Sequence, residues 1–160
     1  MLPVQTTVLK PRRLITLFPV LTYILLLGIV LLYIPEMSKN FMLPVGFGLL
    51  LTLIMAYLYS KIQMAIDDHG ITYSTIFKQY SIAWKKIHQT YLKMEHHGKF
   101  SSLEWHFKTL DGSDWSFNTG FFSRSNLRTI AEALLSKADH AIADERINRM
   151  ADNKFPWYIF

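Results

Sequence analysis

Apolar side chains run without a charged interruption from Leu14 to Ile34 and again from Phe41 to Tyr59; from Lys61 onward they are interleaved with polar ones. A helix needs about 20 predominantly apolar residues to cross the roughly 30 Å hydrocarbon core of a bilayer. The two runs reach about that length and predict transmembrane helices over about 14–34 and 41–59. Pro35 to Asn40 make so short a connection that the helices must be antiparallel neighbours. Neither run contains Asp, Glu, Lys, Arg or His, which argues against a transporter or an intramembrane protease, whose chemistry usually needs ionisable groups at depth. Gly28, Gly46, Gly48 and Ala56 are small enough to let the hairpin pack closely on itself. Pro19 and Pro44 fall near the span ends, and Tyr23, Tyr33, Tyr57 and Tyr59 read as interfacial aromatics.

Beyond Lys61 the period becomes two. Ile71, Tyr73 and Phe77 are expected on one side of a strand, with Thr72 and Ser74 opposite; Tyr80, Ile82 and Trp84 repeat the scheme, and Leu92 and Met94 mark another strand. Leu103, Trp105 and Phe107 point inward while Glu104, His106 and Lys108 point outward, and Trp115 and Phe117 follow. Such alternation predicts a sheet with one buried and one wet face. Asp68-His69-Gly70, His97-Gly98-Lys99 and Asp111-Gly112-Ser113 supply turn residues, so about six strands from Gln63 on should form an antiparallel meander. The period then turns helical: Leu127, Ile130, Ala131, Leu134, Leu135 and Ala138 form one apolar stripe, with Ser123 or Ser125 as N-cap. A weaker helical face, Ala143, Ile147 and Met150, follows; it either continues that helix or begins after a break at Asp139. The fold class is therefore α+β, divided as 1–61 (tail and hairpin), 62–138 (sheet and helix) and 139–160 (helical extension and aromatic tail).

Charge sharpens the membrane reading. The formal net charge is +5, but Lys10, Arg12, Arg13, Lys39 and Lys61 face only Glu36 in the first 61 residues, while the remainder is nearly balanced. The basic flanks Lys10, Arg12, Arg13 and Lys61 are expected to stay in the cytoplasm, placing both termini and the soluble part there. Lys10-Pro11-Arg12-Arg13 superficially resembles a twin-arginine export signal, but the apolar run is longer than the 7–15 residues of a signal peptide and lacks a small-residue cleavage site. No basic stripe accompanies a nucleic-acid-reading motif. The chain has no cysteine, which excludes disulfides, thiolate metal sites and a cysteine nucleophile.

Ile66-Asp67-Asp68-His69-Gly70-Ile71 followed by Ile82-Ala83-Trp84-Lys85-Lys86-Ile87 resembles the bacterial pleckstrin-homology-like (PH-like) domain family. In that family a Gly-Ile strand start is followed by a Trp-x-x-Ile element and a C-terminal helix closes the sheet; members often carry a membrane hairpin just before the domain. The resemblance covers Ile62 to about Ala138. It implies a small barrel-like sheet plugged by a helix, a place in the bacterial inner membrane and a role in interaction or assembly; it does not imply a catalytic residue. Asp67 and Asp68, where a phosphoinositide pocket of the eukaryotic kind needs basic residues, would repel a phosphate.

Two surfaces are candidates. Lys61, Lys78, Lys85 and Lys86 could form a rim for anionic head groups, although solvated loop lysines are the commoner case. Phe155, Trp157, Tyr158 and Phe160 belong to an aromatic tail. It reads equally as a segment packed on its own domain or at the membrane interface, and as an anchor into a partner or a second copy. His88, His96, His97 and His106 lack metal-ligand spacing and read as surface histidines. Asp111 and Asp114 read as turn residues. No nucleophile elbow, phosphate loop or zinc-protease motif is present. The expectation is a membrane-tethered, non-enzymatic interaction module, without cofactor, metal, nucleic-acid or small-molecule ligand, whose partner is a protein or a second copy. The alternatives are a domain that recognises anionic lipid and an accessory subunit of a membrane enzyme.

Overall fold

The computed structural model describes residues 6–33, 42–98 and 100–155. The chain is α+β, with four helices and two four-stranded sheets among the described residues. The first apolar run is helix α1 (Arg13–Tyr33) and the second is α2 (Met42–Ser60). Among the described residues, α1 is long and apolar enough to cross a membrane, while the apolar stretch of α2 is shorter. The two helices pack together. Tyr23 packs between the two helices: its hydroxyl donates to the Val45 carbonyl and its ring covers Gly48, where a Cβ would lie 2.7 Å from the ring edge. Gly28 and Gly46 have no such neighbour, so of the three glycines only Gly48 supplies a close approach.

The strands expected from Gln63 onward are all present. They are β2 (Gln63–Ile66), β3 (Gly70–Ser74), β4 (Gln79–Ala83), β5 (Ile87–His97), β6 (Phe100–Thr109) and β7 (Asp114–Asn118). Two further strands escaped the periodicity. Strand β1 (Thr7–Leu9) precedes α1 and pairs antiparallel with β2, Leu9 opposite Met64. Strand β8 (Ile142–Ala143) pairs parallel with β5. The six strands do not form the one meander expected: β4 and β5 do not pair, and the sheets have the orders β1-β2-β3-β4 and β7-β6-β5-β8. Gly70 is required where β3 meets β4, because a Cβ there would lie 2.9 Å from the Ile82 carbonyl carbon and closer still to its oxygen. Trp84 opens the 3-10 turn Trp84–Lys86 that links the sheets. It is buried and its indole N–H donates to the Asp67 carbonyl at 2.9 Å.

Helix α3 (Arg124–Lys137) is capped by Ser123, whose hydroxyl accepts from the Asn126 amide at 3.2 Å. It ends before Asp139; the second helix, α4 (Glu145–Ala151), is separate and capped by Asp144. Leu127, Ile130, Ala131 and Leu134 are buried against an aromatic interior of Trp105, Phe107, Trp115, Phe117 and Phe122. That single core also contains Leu9, Ile147 and Met150, so it draws on residues either side of the boundaries at 61/62 and 138/139.

Alternation misplaces three side chains. Phe77 is 80% exposed because β3 ends at Ser74 and the chain turns. Tyr80 is exposed on β4, an edge strand, and Met94 is exposed toward the tip of the β5–β6 hairpin. Conversely, His106 is buried rather than outward and wet, because the cross-strand ring of Tyr91 stacks on it at 5.0 Å.

Candidate functional site

The residues that join α1 and α2 to the sheets meet at one end of the domain. Arg12 donates from its amide to the Phe121 carbonyl (2.9 Å) and from Nε to the Phe122 carbonyl (2.8 Å). Asn126, in the first turn of α3, donates to the Lys10 carbonyl at 2.8 Å. At the last turn of α2, Tyr59 packs on Phe121 with ring centroids 5.9 Å apart. The start of α1 and the end of α2 are thus fixed to the same short segment, Phe121 to Asn126. Sequence pattern does not reveal this clasp, since Arg12 reads there only as a topogenic charge.

The four candidate lysines divide between two ends of the first sheet. Lys61 follows α2 and lies over the Tyr57 ring at 5.0 Å. Lys78 closes the β3–β4 turn; Ser74, before that turn, pairs with Gln63, so Lys61 and Lys78 share the helix end of the sheet. Lys85 and Lys86 follow Ala83, which pairs with Gly70 at the opposite end. There the β2–β3 turn is acidic. Asp68 is held below the ordinary carboxylate range by a 2.7 Å hydrogen bond from Lys137 and by the charge of that ammonium. A single basic rim of four lysines is not formed.

Of the aromatic tail, Phe155 is described: it is partly buried against the core and under the Arg124 guanidinium, 5.7 Å from its centroid. Arg124 begins α3, so Phe155 belongs to the end where the helices attach. Trp157, Tyr158 and Phe160 lie outside the described residues.

A groove of about 330 Å³ opens between the β4 edge and the β6–β7 turn, lined in part by Tyr80, Ser81, Lys86, Asp111, Asp114 and Trp115. Its charges are mixed. Asp111 accepts from the Thr109 hydroxyl and, at 3.1 Å, from the Ser113 amide, which pulls its pKa down to about 2; turn chemistry accounts for it. Asp114 accepts from the Tyr91 hydroxyl at 3.1 Å, and burial together with that bond raises the Tyr91 pKa. His106 Nδ1 lies 3.4 Å from Asp114 and its Nε2 lies 3.7 Å from Glu95. This cluster sets an imidazole between two carboxylates. Among the described residues, no group of three His, Asp or Glu side chains could hold a metal ion.

Compared with protein-family models, with curated proteins and with solved structures, the chain matches none. The geometry of its own residues therefore carries the functional reading.

Proposed function

We propose that this chain is a non-enzymatic interaction module held at the cytoplasmic face of a bacterial inner membrane. In this reading α1 and α2 form a two-helix transmembrane hairpin, and the sheets with α3 form a PH-like domain seated on the bilayer. The observation that carries it is the attachment of both helices to one end of the domain, by Arg12 on Phe121 and Phe122 and by Tyr59 on Phe121. Away from that end the helices expose a sleeve of large apolar side chains, including Leu17, Phe18, Leu21, Ile24 and Leu25 on α1 and Phe47, Leu50 and Leu53 on α2. An apolar surface of that extent marks a membrane or protein contact, and lipid is the cover that fits two apolar helices side by side. The PH-like reading is supported by two antiparallel meanders followed by a helix on the core, and by Gly70-Ile71 and Trp84-x-x-Ile87 at a strand start and an inter-sheet turn. With the domain confined to the surface, weak contacts to membrane partners gain effective concentration.

The absence of native cysteine makes topology directly testable. A single cysteine at Lys39, between the helices, should react with an impermeant maleimide in intact cells. One at Ser113 should react only after permeabilisation. The reverse pattern, or extraction of the chain by alkaline carbonate, sinks the reading. For the interaction role, removal of Phe155 to Phe160 should change the set of proteins that co-purify from membranes; an unchanged set removes the tail from the account.

A reading through anionic lipid gains support from Lys61 and Lys78 alone, the two lysines on the helix end. It is pursued next.

A further inference from the structure

The β3–β4 turn, Thr75 to Lys78, exposes Ile76 by 42% and Phe77 by 80%, the highest value for a large apolar side chain among the described residues. Turn tips are ordinarily polar, because their backbone and side chains face water. This turn is also well held. The Thr75 amide donates to the Lys78 carbonyl at 2.8 Å, and the Thr75 hydroxyl accepts from the amides of Phe77 (3.3 Å) and Lys78 (3.1 Å). The two apolar side chains are therefore presented at the tip by a fixed backbone.

Position gives the exposure its meaning. Ser74 pairs with Gln63, and Gln63 is the third residue after Ser60, the last of α2. One strand spacing, about 5 Å, separates the base of the turn from the chain just after it leaves the apolar helix. Tyr57 and Lys61 at the end of α2 are exposed, as is Lys78. The opposite turn of the same sheet, Asp67 to His69, is polar and acidic. Exposed apolar side chains and two lysines lie together at the end near the helices, whereas the end away from them is polar and mixed in charge, Asp67 and Asp68 standing with Lys85, Lys86 and Lys137.

We propose that Ile76 and Phe77 insert into the leaflet that surrounds the end of α2, with Lys78 and Lys61 against anionic head groups. The domain then has a third contact with the bilayer, which fixes the tilt of its first sheet. The strand register sets the turn beside the chain that leaves α2, and the charge of Lys61 and Lys78 complements an acidic leaflet. The inference rests on the reading of α1 and α2 as membrane-spanning.

The test uses the full chain in nanodiscs of phosphatidylcholine and phosphatidylglycerol, with an environment-sensitive fluorophore on one introduced cysteine and spin-labelled lipid as quencher. The label is placed in turn at Phe77→Cys, at His69→Cys on the opposite turn, and at Leu21→Cys on the exposed side of α1. Labels at 77 and 21 should be quenched about twofold or more, as expected for groups at or below head-group depth, and the label at 69 should not. Quenching at 21 with none at 77 overturns the insertion and leaves the hairpin standing. No quenching at 21 overturns the membrane reading and the insertion with it. Protection of 77 in native membranes but not in nanodiscs assigns the turn to a protein partner and also overturns the proposal. Equal quenching at 77 in discs of phosphatidylcholine alone removes the role given to Lys61 and Lys78.

Discussion

Buried polar groups in the second sheet show how much rests on single atoms. The Trp105 indole N–H donates to the Thr90 hydroxyl at 2.7 Å, and that hydroxyl donates to the His106 carbonyl at 3.0 Å, all away from solvent. Thr90→Val keeps the volume but leaves the indole without an acceptor, which costs about 1–3 kcal/mol. Denaturant unfolding in detergent should show that loss, and a cycle with Trp105→Phe should show the two changes to be coupled. Asp111 acts through charge instead. Its pKa is lowered to about 2 by the Thr109 hydroxyl and then by Ser113. A carboxylate depressed in the folded state adds stability above its unfolded pKa and loses it as pH falls through the folded value. Asp111→Asn should therefore lower the unfolding midpoint most above about pH 5, with the difference from the native chain closing toward about pH 2.

At the scale of elements, Asp144 joins the pairing of β8 with β5 to the start of α4. The Asp144 amide donates to the Thr90 carbonyl at 3.0 Å, and its carboxylate caps α4 through the Arg146 amide at 2.9 Å. Arg146 returns to that carboxylate and also donates to the Leu92 carbonyl at 2.5 Å. Partial burial alone would push the Asp144 pKa up, yet the bonds and charge of Arg146 outweigh it and hold it low. Loss of an N-cap costs about 1–2 kcal/mol. Asp144→Ala should accordingly speed hydrogen exchange at the Ile147 and Asn148 amides well before the amides of α3 are affected. Equal acceleration in both helices would mean that α4 unfolds only with the whole domain.

For the molecule as a whole, β1 and β2 are the arms of an antiparallel pair whose connection is the entire α1–α2 pair. Leu9 is buried in the core and Arg12 is bonded to Phe121 and Phe122, so the domain is incomplete without the residues that precede the helices. Replacing residues 13–60 by a short Gly-Ser linker should give a folded domain that needs no detergent, because only the strand ends at Leu9 and Met64 need joining. A chain beginning at Ile62 should be less stable by about 1.5–3 kcal/mol, the value of burying one leucine. Equal thermal midpoints for the two would show that β1 adds nothing to the fold.

What the sequence determines by itself is whatever repeats locally. Uncharged runs announce α1 and α2, a period of two announces β2 to β7, and a period near four announces α3. In each the spacing of apolar residues matches the geometry of one element burying one face. Ser123, one of two N-cap candidates, and Asp111, a turn residue, are legible from equally local chemistry. Tertiary structure decides everything that depends on a distant partner. Strands of three and two residues, β1 and β8, carry no period and exist only because β2 and β5 offer free edges. His106 and Lys108 share an outward face, but only His106 is buried, because Tyr91 on the next strand covers it. Four similar lysines part into two ends once the register of β2, β3 and β4 is set. The same register brings Ile76 and Phe77 beside the end of α2. Local pattern fixes which face a residue occupies; what stands opposite that face depends on pairings between residues far apart in the chain, and no window along the sequence contains both.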